Sequence, residues 1–133
     1  MKLSYLIDTD WIIHYLNGHR ETIGKLKSLR NEGLAISVIS LAELYEGVYY
    51  STNPESNERA LNDFLSAVSL LAVEEEICKV LGRERGRLRQ KKKMIGDFDL
   101  LIASTCLHHN LTLLTNNRKH YEMIERLNIL SFS

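Results

Sequence analysis

Acidic side chains set at the ends of apolar runs are the groups in this chain best suited to chemistry. The stretch Ile95–Asn117 reads IGDFDLLIASTCLHHNLTLLTNN. Asp97 and Asp99 lead an otherwise apolar helix pattern, followed by a short strand pattern, Leu111–Thr115, that stops on Asn116-Asn117. With Phe98–His109 helical, Asp99 shares a face with Ile102, Ala103 and Cys106. A carboxylate on an apolar face is costly to bury unless it is paired, hydrogen-bonded or bound to a cation. Three other groups come into question: Asp8 after the apolar run Leu3–Ile7, Glu43 just beyond the run Leu34–Ile39, and Asn117 after Leu111–Thr115.

The elements that must position these groups alternate along the chain. Strands are expected at Leu3–Ile7, Leu34–Ile39, Leu70–Val73, Leu111–Thr115 and, at an edge, Asn128–Phe132. Helical spacing of apolar residues predicts helices over Trp11–Leu16 and Glu21–Asn31, with Gly33 as the stop of the second. Further helices are expected from Ser40, through Leu61–Val68 after a loop at Ser51–Asn57, and from Glu74–Glu76 into a basic run. Apolar strands alternating with helices imply an α/β fold, a parallel sheet covered on both faces. In such sheets ligands bind beyond the carboxyl ends of the strands. Asp8, Glu43, Asp97, Asp99, Asn116 and Asn117 all fall on that edge.

Each acid also has a purely structural reading. Asp10 suits an N-cap, Ser40-Leu41-Ala42-Glu43 fits a capping box, Asp97 suits the N-cap of a helix beginning at Phe98, and Asp99 is favoured by that helix's dipole. Asp8 caps nothing obvious. Four separate coincidences on one edge are needed for the structural readings, whereas a cation site needs one cause. Hard oxygen donors without a Cys or His pattern suit Mg²⁺ or Mn²⁺ rather than zinc. The five histidines lack an HExxH spacing and read as surface or helix residues. Thr9, Ser40 and Thr115 have no Ser-His-Asp context, and no Walker-type glycine loop occurs.

Composition bounds the rest. A chain of 133 residues with 44% apolar residues is expected to form one domain, residues 1–133, with a proper core. No secretory signal is read, since Asp8 and Asp10 interrupt the start, and no apolar run approaches the ~20 residues of a membrane span. Cys78 and Cys106, both in helical patterns, read as buried thiols of a cytoplasmic protein. Lys+Arg and Asp+Glu balance at 17 each. Yet Arg83–Lys93, RERGRLRQKKK, holds seven bases and one acid, leaving the opposite excess elsewhere. This run reads as a solvated helix face or as a guide for a polyanion, with Arg87, Arg89 and Lys91 the residues expected to meet it.

Three stretches together carry a family likeness: LIDTDWIIHYLNG, ISLAELYEG and IGDFDLLIASTCLHHNLTLLTNNRKHY. In this order and spacing the chain resembles a PIN-domain ribonuclease of the VapC toxin type along essentially its whole length. The resemblance implies a three-layer α/β/α sandwich with a central parallel sheet and an acidic pocket for Mg²⁺ or Mn²⁺. It further implies an endoribonuclease toxin, usually a homodimer, neutralised by a cognate antitoxin. Its first three acidic positions fall on Asp8, Glu43 and Asp99, with Asp8 and Asp99 holding the metal and Glu43 reaching it directly or through water. The fourth position, often Asp, is Asn117, as in some related toxins, and Asp97 is left as a cap or an outer group. A non-catalytic PIN-like binding module is the alternative. A receiver-like phospho-acceptor domain would need an Asp after the third strand and a Lys near the last, and Leu113–Thr115 offers no Lys. A DxDxT phosphatase motif fails at Ile12.

Overall fold

The computed structural model describes residues 2–132. Its elements are β1 (Tyr5–Ile7), α1 (Thr9–Leu16), α2 (Arg20–Leu29), a 3-10 turn (Arg30–Glu32), β2 (Leu34–Ser37), α3 (Val38–Tyr49), α4 (Pro54–Leu65), β3 (Ser69–Leu71), α5 (Glu75–Gln90), α6 (Asp97–His109), β4 (Thr112–Leu114), α7 (Arg118–Tyr121) and β5 (Ile129–Leu130). The strands form one parallel sheet in the order β3-β2-β1-β4-β5.

Alternation along the strands builds the two outer layers. Leu6, Ala35 and Leu113 face a cluster made with Leu88 of α5, Leu100, Ile102 and Cys106 of α6, and Tyr121 of α7. The next residues, Ile7, Ile36 and Leu114, point the other way, against Trp11, Leu26, Leu44 and Phe64 of α1–α4. The fold is therefore a three-layer α/β/α sandwich. Burial of both sheet faces explains why the central strands β1, β2 and β4 read as unbroken apolar runs, while the edge strand β3 is largely exposed. No helix among the described residues is long and apolar enough to cross a membrane.

Several boundaries differ from the sequence reading, each for a local reason. Helix α1 begins at Thr9 with Asp8 as its N-cap, so Asp10 lies inside the helix and is not its N-cap. Ser37 caps α3 by accepting from Ile39 N at 3.0 Å, which turns Val38-Ile39 from the expected strand into helix. That places Glu43 in the second turn and overturns the capping box. Pro54 starts α4 within the expected loop, where its missing N–H costs nothing at the first helical position. Gly96, not Asp97, caps α6. Cys106 is buried as expected, but Cys78 is exposed; both are free thiols.

Gly33 must be glycine. Its φ is +91°, and a Cβ there would lie 2.2 Å from Lys2 O. Its carbonyl accepts from Ser4 N and Tyr5 N at 3.0 and 3.1 Å, which seats β1 against the start of β2. Strand order then decides where a site forms. The chain runs outward from β1 to β2 and β3, then returns to the other side of β1 with β4 and β5. The crevice at the carboxyl ends of β1 and β4 is thus the switch point of the sheet.

Candidate active site

Register places the first pair of groups at that crevice. Leu6 pairs with Leu113 and Ile7 with Leu114, so Asp8 and Thr115 are the next residues on adjacent parallel strands. Thr115 Oγ1 donates to Asp8 Oδ2 at 2.7 Å, and Thr9 N donates to Asp8 Oδ1 at 2.9 Å. From the layer above, α6 delivers Asp99 and α7 delivers Tyr121. The fully buried Tyr121 places its hydroxyl 3.1 Å from Asp99 Oδ1 and 3.3 Å from Asp8 Oδ1. His120 Nδ1 lies 3.2 Å from the other Asp99 oxygen.

Glu43 is joined to this pair at one remove. Thr9 Oγ1 lies 2.8 Å from Glu43 Oε1 and 3.0 Å from the buried Ser40 Oγ. Thr9 has one hydroxyl proton. Donated to the carboxylate, it leaves the Thr9 oxygen to accept from Ser40. Asn117 stands at the N-terminus of α7 without capping it by its side chain; its backbone N donates to Thr115 Oγ1 at 3.0 Å. Among the described residues no three His, Cys, Asp or Glu side chains lie close enough together to hold an ion by themselves. Asp8 and Asp99 are brought together, Glu43 is one hydroxyl away, and Asn117 is on the adjoining turn.

The remaining polar residues of this edge brace the backbone. Asp10 accepts from Trp11 N at 2.8 Å and Asn116 N at 3.0 Å, while Asn116 Oδ1 accepts from Trp11 Nε1 and Phe132 N, each at 3.1 Å. Asp97 is an exposed residue in an ion pair with Arg85. Of the three bases expected to guide RNA, Arg87 binds the buried Glu84 at 2.8 Å and Lys91 pairs with Glu125. Arg89 has no acidic partner among the described residues.

Electrostatically the rim is under-compensated. Burial, with Asp10 and Asp99 nearby, pushes the Asp8 carboxyl up to about 6 despite the Thr115 and Thr9 donors. Burial raises Asp10 as well, although two backbone N–H groups oppose it. The Tyr121 phenol is also driven up, by burial first and then by the two carboxylates, so at neutral pH it is a donor. The donors to Asp8 are neutral, His120 is the one base beside Asp99, and among the described residues no Lys or Arg contacts either acid.

Sequence reasoning passed over the residues that organise this arrangement. Thr9 and Thr115 read there only as nucleophiles without a triad, Ser40 also as a helix cap, His120 as a surface or helix residue, and Tyr121 carries no reading. The one available signal was that Thr9 and Thr115 flank the strand ends. The comparisons agree with the geometry. A family model of the PIN domain matches residues 5–125. The chain belongs to the PIN-domain family. It is 38% identical to Ribonuclease VapC2 of Rickettsia felis over 127 residues, 94% of this chain and 95% of that protein. It is 28% identical to the tRNA(fMet)-specific endonuclease VapC of Salmonella typhimurium, covering 96% of each. Among solved structures, VapBC2 of Rickettsia felis bound to a DNA fragment from its promoter superposes with a TM-score of 0.92 at 34% identity, covering 98% of this chain and all of that one. Within the family, this PIN domain is of the VapC ribonuclease type.

Proposed function

We propose that the chain is a toxin that cleaves RNA phosphodiester bonds at the Asp8–Asp99 rim with a bound Mg²⁺ or Mn²⁺. The observation that carries this is a pair of carboxylates at the switch point, one of them buried, within reach of a single hydroxyl and, among the described residues, with no Lys or Arg against them. A divalent cation supplies the missing charge. Mg²⁺ keeps several waters and needs only one or two carboxylates, so the donor set fits. When bound, such an ion polarises the scissile phosphate and lowers the pKa of a coordinated water.

The chain's own groups then divide the work. Asp8, fixed by Thr9 N and Thr115 Oγ1, and Asp99 would hold the ion. Glu43, oriented by Thr9, would reach it directly or through water and would take a proton from the attacking water. Asn117 contributes a neutral amide where an acid often stands, which supports one ion rather than two. The cluster Arg83–Lys93 guides the polyanion, Arg89 being available without breaking an internal pair. The chain works as one domain, as a homodimer in the cytoplasm, with a cognate antitoxin as neutralising partner. A groove of about 300 Å³ between α1, α3 and α4, lined by Ile13, Leu16, Leu44 and Val48 with Glu43, supports binding of an apolar antitoxin segment beside the acids.

Purified protein freed of antitoxin should cleave RNA with Mg²⁺ or Mn²⁺ and not in EDTA. Asp8→Asn and Asp99→Asn should each fall to the level of the enzyme-free control while remaining folded. Retained metal-dependent cleavage by either variant would sink the assignment. RNA binding by the wild type without cleavage in either metal would favour the binding-module reading.

A further inference from the structure

Tyr121 is buried completely, its ring packed in the cluster that holds Leu6, Leu100, Leu113 and Ile124. For packing alone a phenylalanine would serve. The hydroxyl has a separate job, because it stands 3.1 Å from Asp99 Oδ1 and 3.3 Å from Asp8 Oδ1. A phenol carries one proton and donates to one acceptor at a time. Here that proton is shared between two acids, which it draws toward a common point.

The two acids depend on it unequally. Asp8 has two further donors, Thr9 N and Thr115 Oγ1, and is pinned without the phenol. Asp99 is a third exposed at its side chain, and its other partner is His120, itself 60% exposed. Without the phenol, repulsion from Asp8 would turn Asp99 toward water. We propose that Tyr121 is a positioning residue for the cation: approaching from the buried side, its hydroxyl orients Asp99 against Asp8 before an ion arrives. This rests on the metal-dependent reading above and adds to it a determinant of ion affinity. Groups that hydrogen-bond to metal ligands typically contribute about 10–100-fold to affinity.

The test is Mn²⁺ binding followed by electron paramagnetic resonance, without RNA, on metal-stripped wild type, Tyr121→Phe and Asp99→Asn. Phenylalanine keeps the ring, and thermal unfolding in EDTA checks that the variant is folded. Tyr121→Phe is expected to bind Mn²⁺ about 10–100-fold more weakly. It should also recover wild-type kcat at saturating Mn²⁺ while its half-saturating Mn²⁺ stays raised, a split that general loosening would not produce. Unchanged affinity would reduce the hydroxyl to a satisfied core group, and tighter binding would make it a competitor of the ion; either overturns the proposal. Absence of Mn²⁺ binding by the wild type would remove the metal reading itself and this inference with it. Wild-type binding with an unaffected Tyr121→Phe would remove the inference alone.

Discussion

Asp8 and Glu84 are buried almost equally, at 4% and 3% exposure, on two elements of the same sandwich. Glu84 of α5 is met by Arg87 at 2.8 Å and by Arg126, from the segment after α7, at 3.3 Å. Among the described residues Asp8 is met only by neutral donors, and it has Asp10 and Asp99 nearby. The first carboxylate is neutralised within the molecule and ties α5 to the segment before β5. The second is left short of positive charge, and its pKa rises to about 6. Where a buried charge ties two elements together the chain supplies its counter-charge; at Asp8, the acid proposed above to hold a cation, it supplies none.

The largest effect should come from stripping the compensated site. Arg87→Ala together with Arg126→Ala leaves Glu84 buried without a partner and should cost about 3–5 kcal/mol in urea unfolding. Glu84→Ala should cost less, because the two arginines are 43% and 61% exposed at their side chains and can hydrate. Equal costs would mean that Glu84 contributes by packing rather than by charge.

The uncompensated site should respond with the opposite sign. Asp8 has a carboxyl near 6 when folded and about 3.9 when unfolded. The folded state therefore holds the proton more tightly, and this stabilising contribution is present below about pH 4 and lost as pH rises through 6. At pH 7.5 the ionised group costs the cation-free protein roughly 3 kcal/mol. Asp8→Asn should accordingly be more stable than wild type in EDTA at pH 7.5, by up to that amount, and the gap should close near pH 4. A destabilised variant at pH 7.5 would show that the Thr115 and Thr9 hydrogen bonds outweigh burial.

Glu43 lies between these extremes, anchored by one hydroxyl. Glu43→Gln keeps an oxygen for Thr9, so chemical denaturation should shift by no more than about 1 kcal/mol. RNA cleavage should fall about 10–100-fold if Glu43 serves the ion. Full activity with a small loss of stability would leave it a structural partner of Thr9.

The smallest effects concern the basic run, where the comparison becomes one between committed and uncommitted cations. Replacing Arg89, Lys92 and Lys93 by Ala should weaken RNA binding and flatten the plot of log affinity against log salt, by roughly 0.7 for each phosphate no longer neutralised. Replacing Arg87 and Lys91, both held in ion pairs, should act mainly on stability. An unchanged slope in the first set would assign the charge to something other than substrate.

Part of this contrast was legible in the residues. Ile77, Val80, Glu84 and Leu88 share one stripe of α5, so the burial of Glu84 is legible from spacing, although net charge alone presents it as one acid among seven bases. The ends of β1 and β4 and the start of α6 were legible because apolar runs and helix periodicity are local. The cap positions were legible only in part, since Ser37, Asp8 and Gly96 compete with nearby Ser40, Asp10 and Asp97, and the choice is made by packing.

The sequence by itself determined that acids stand at the carboxyl ends of apolar strands in an α/β chain, because side-chain alternation and helical spacing are set by immediate neighbours. Tertiary structure decided which of those acids meet, and through what. Thr115 reaches Asp8 across 107 residues, Tyr121 reaches Asp8 across 113, and Thr9 reaches Glu43 across 34. Those contacts exist because the chain returns to lay β4 beside β1, and that return is fixed by burying both faces of the sheet at once. No local pattern contains that condition.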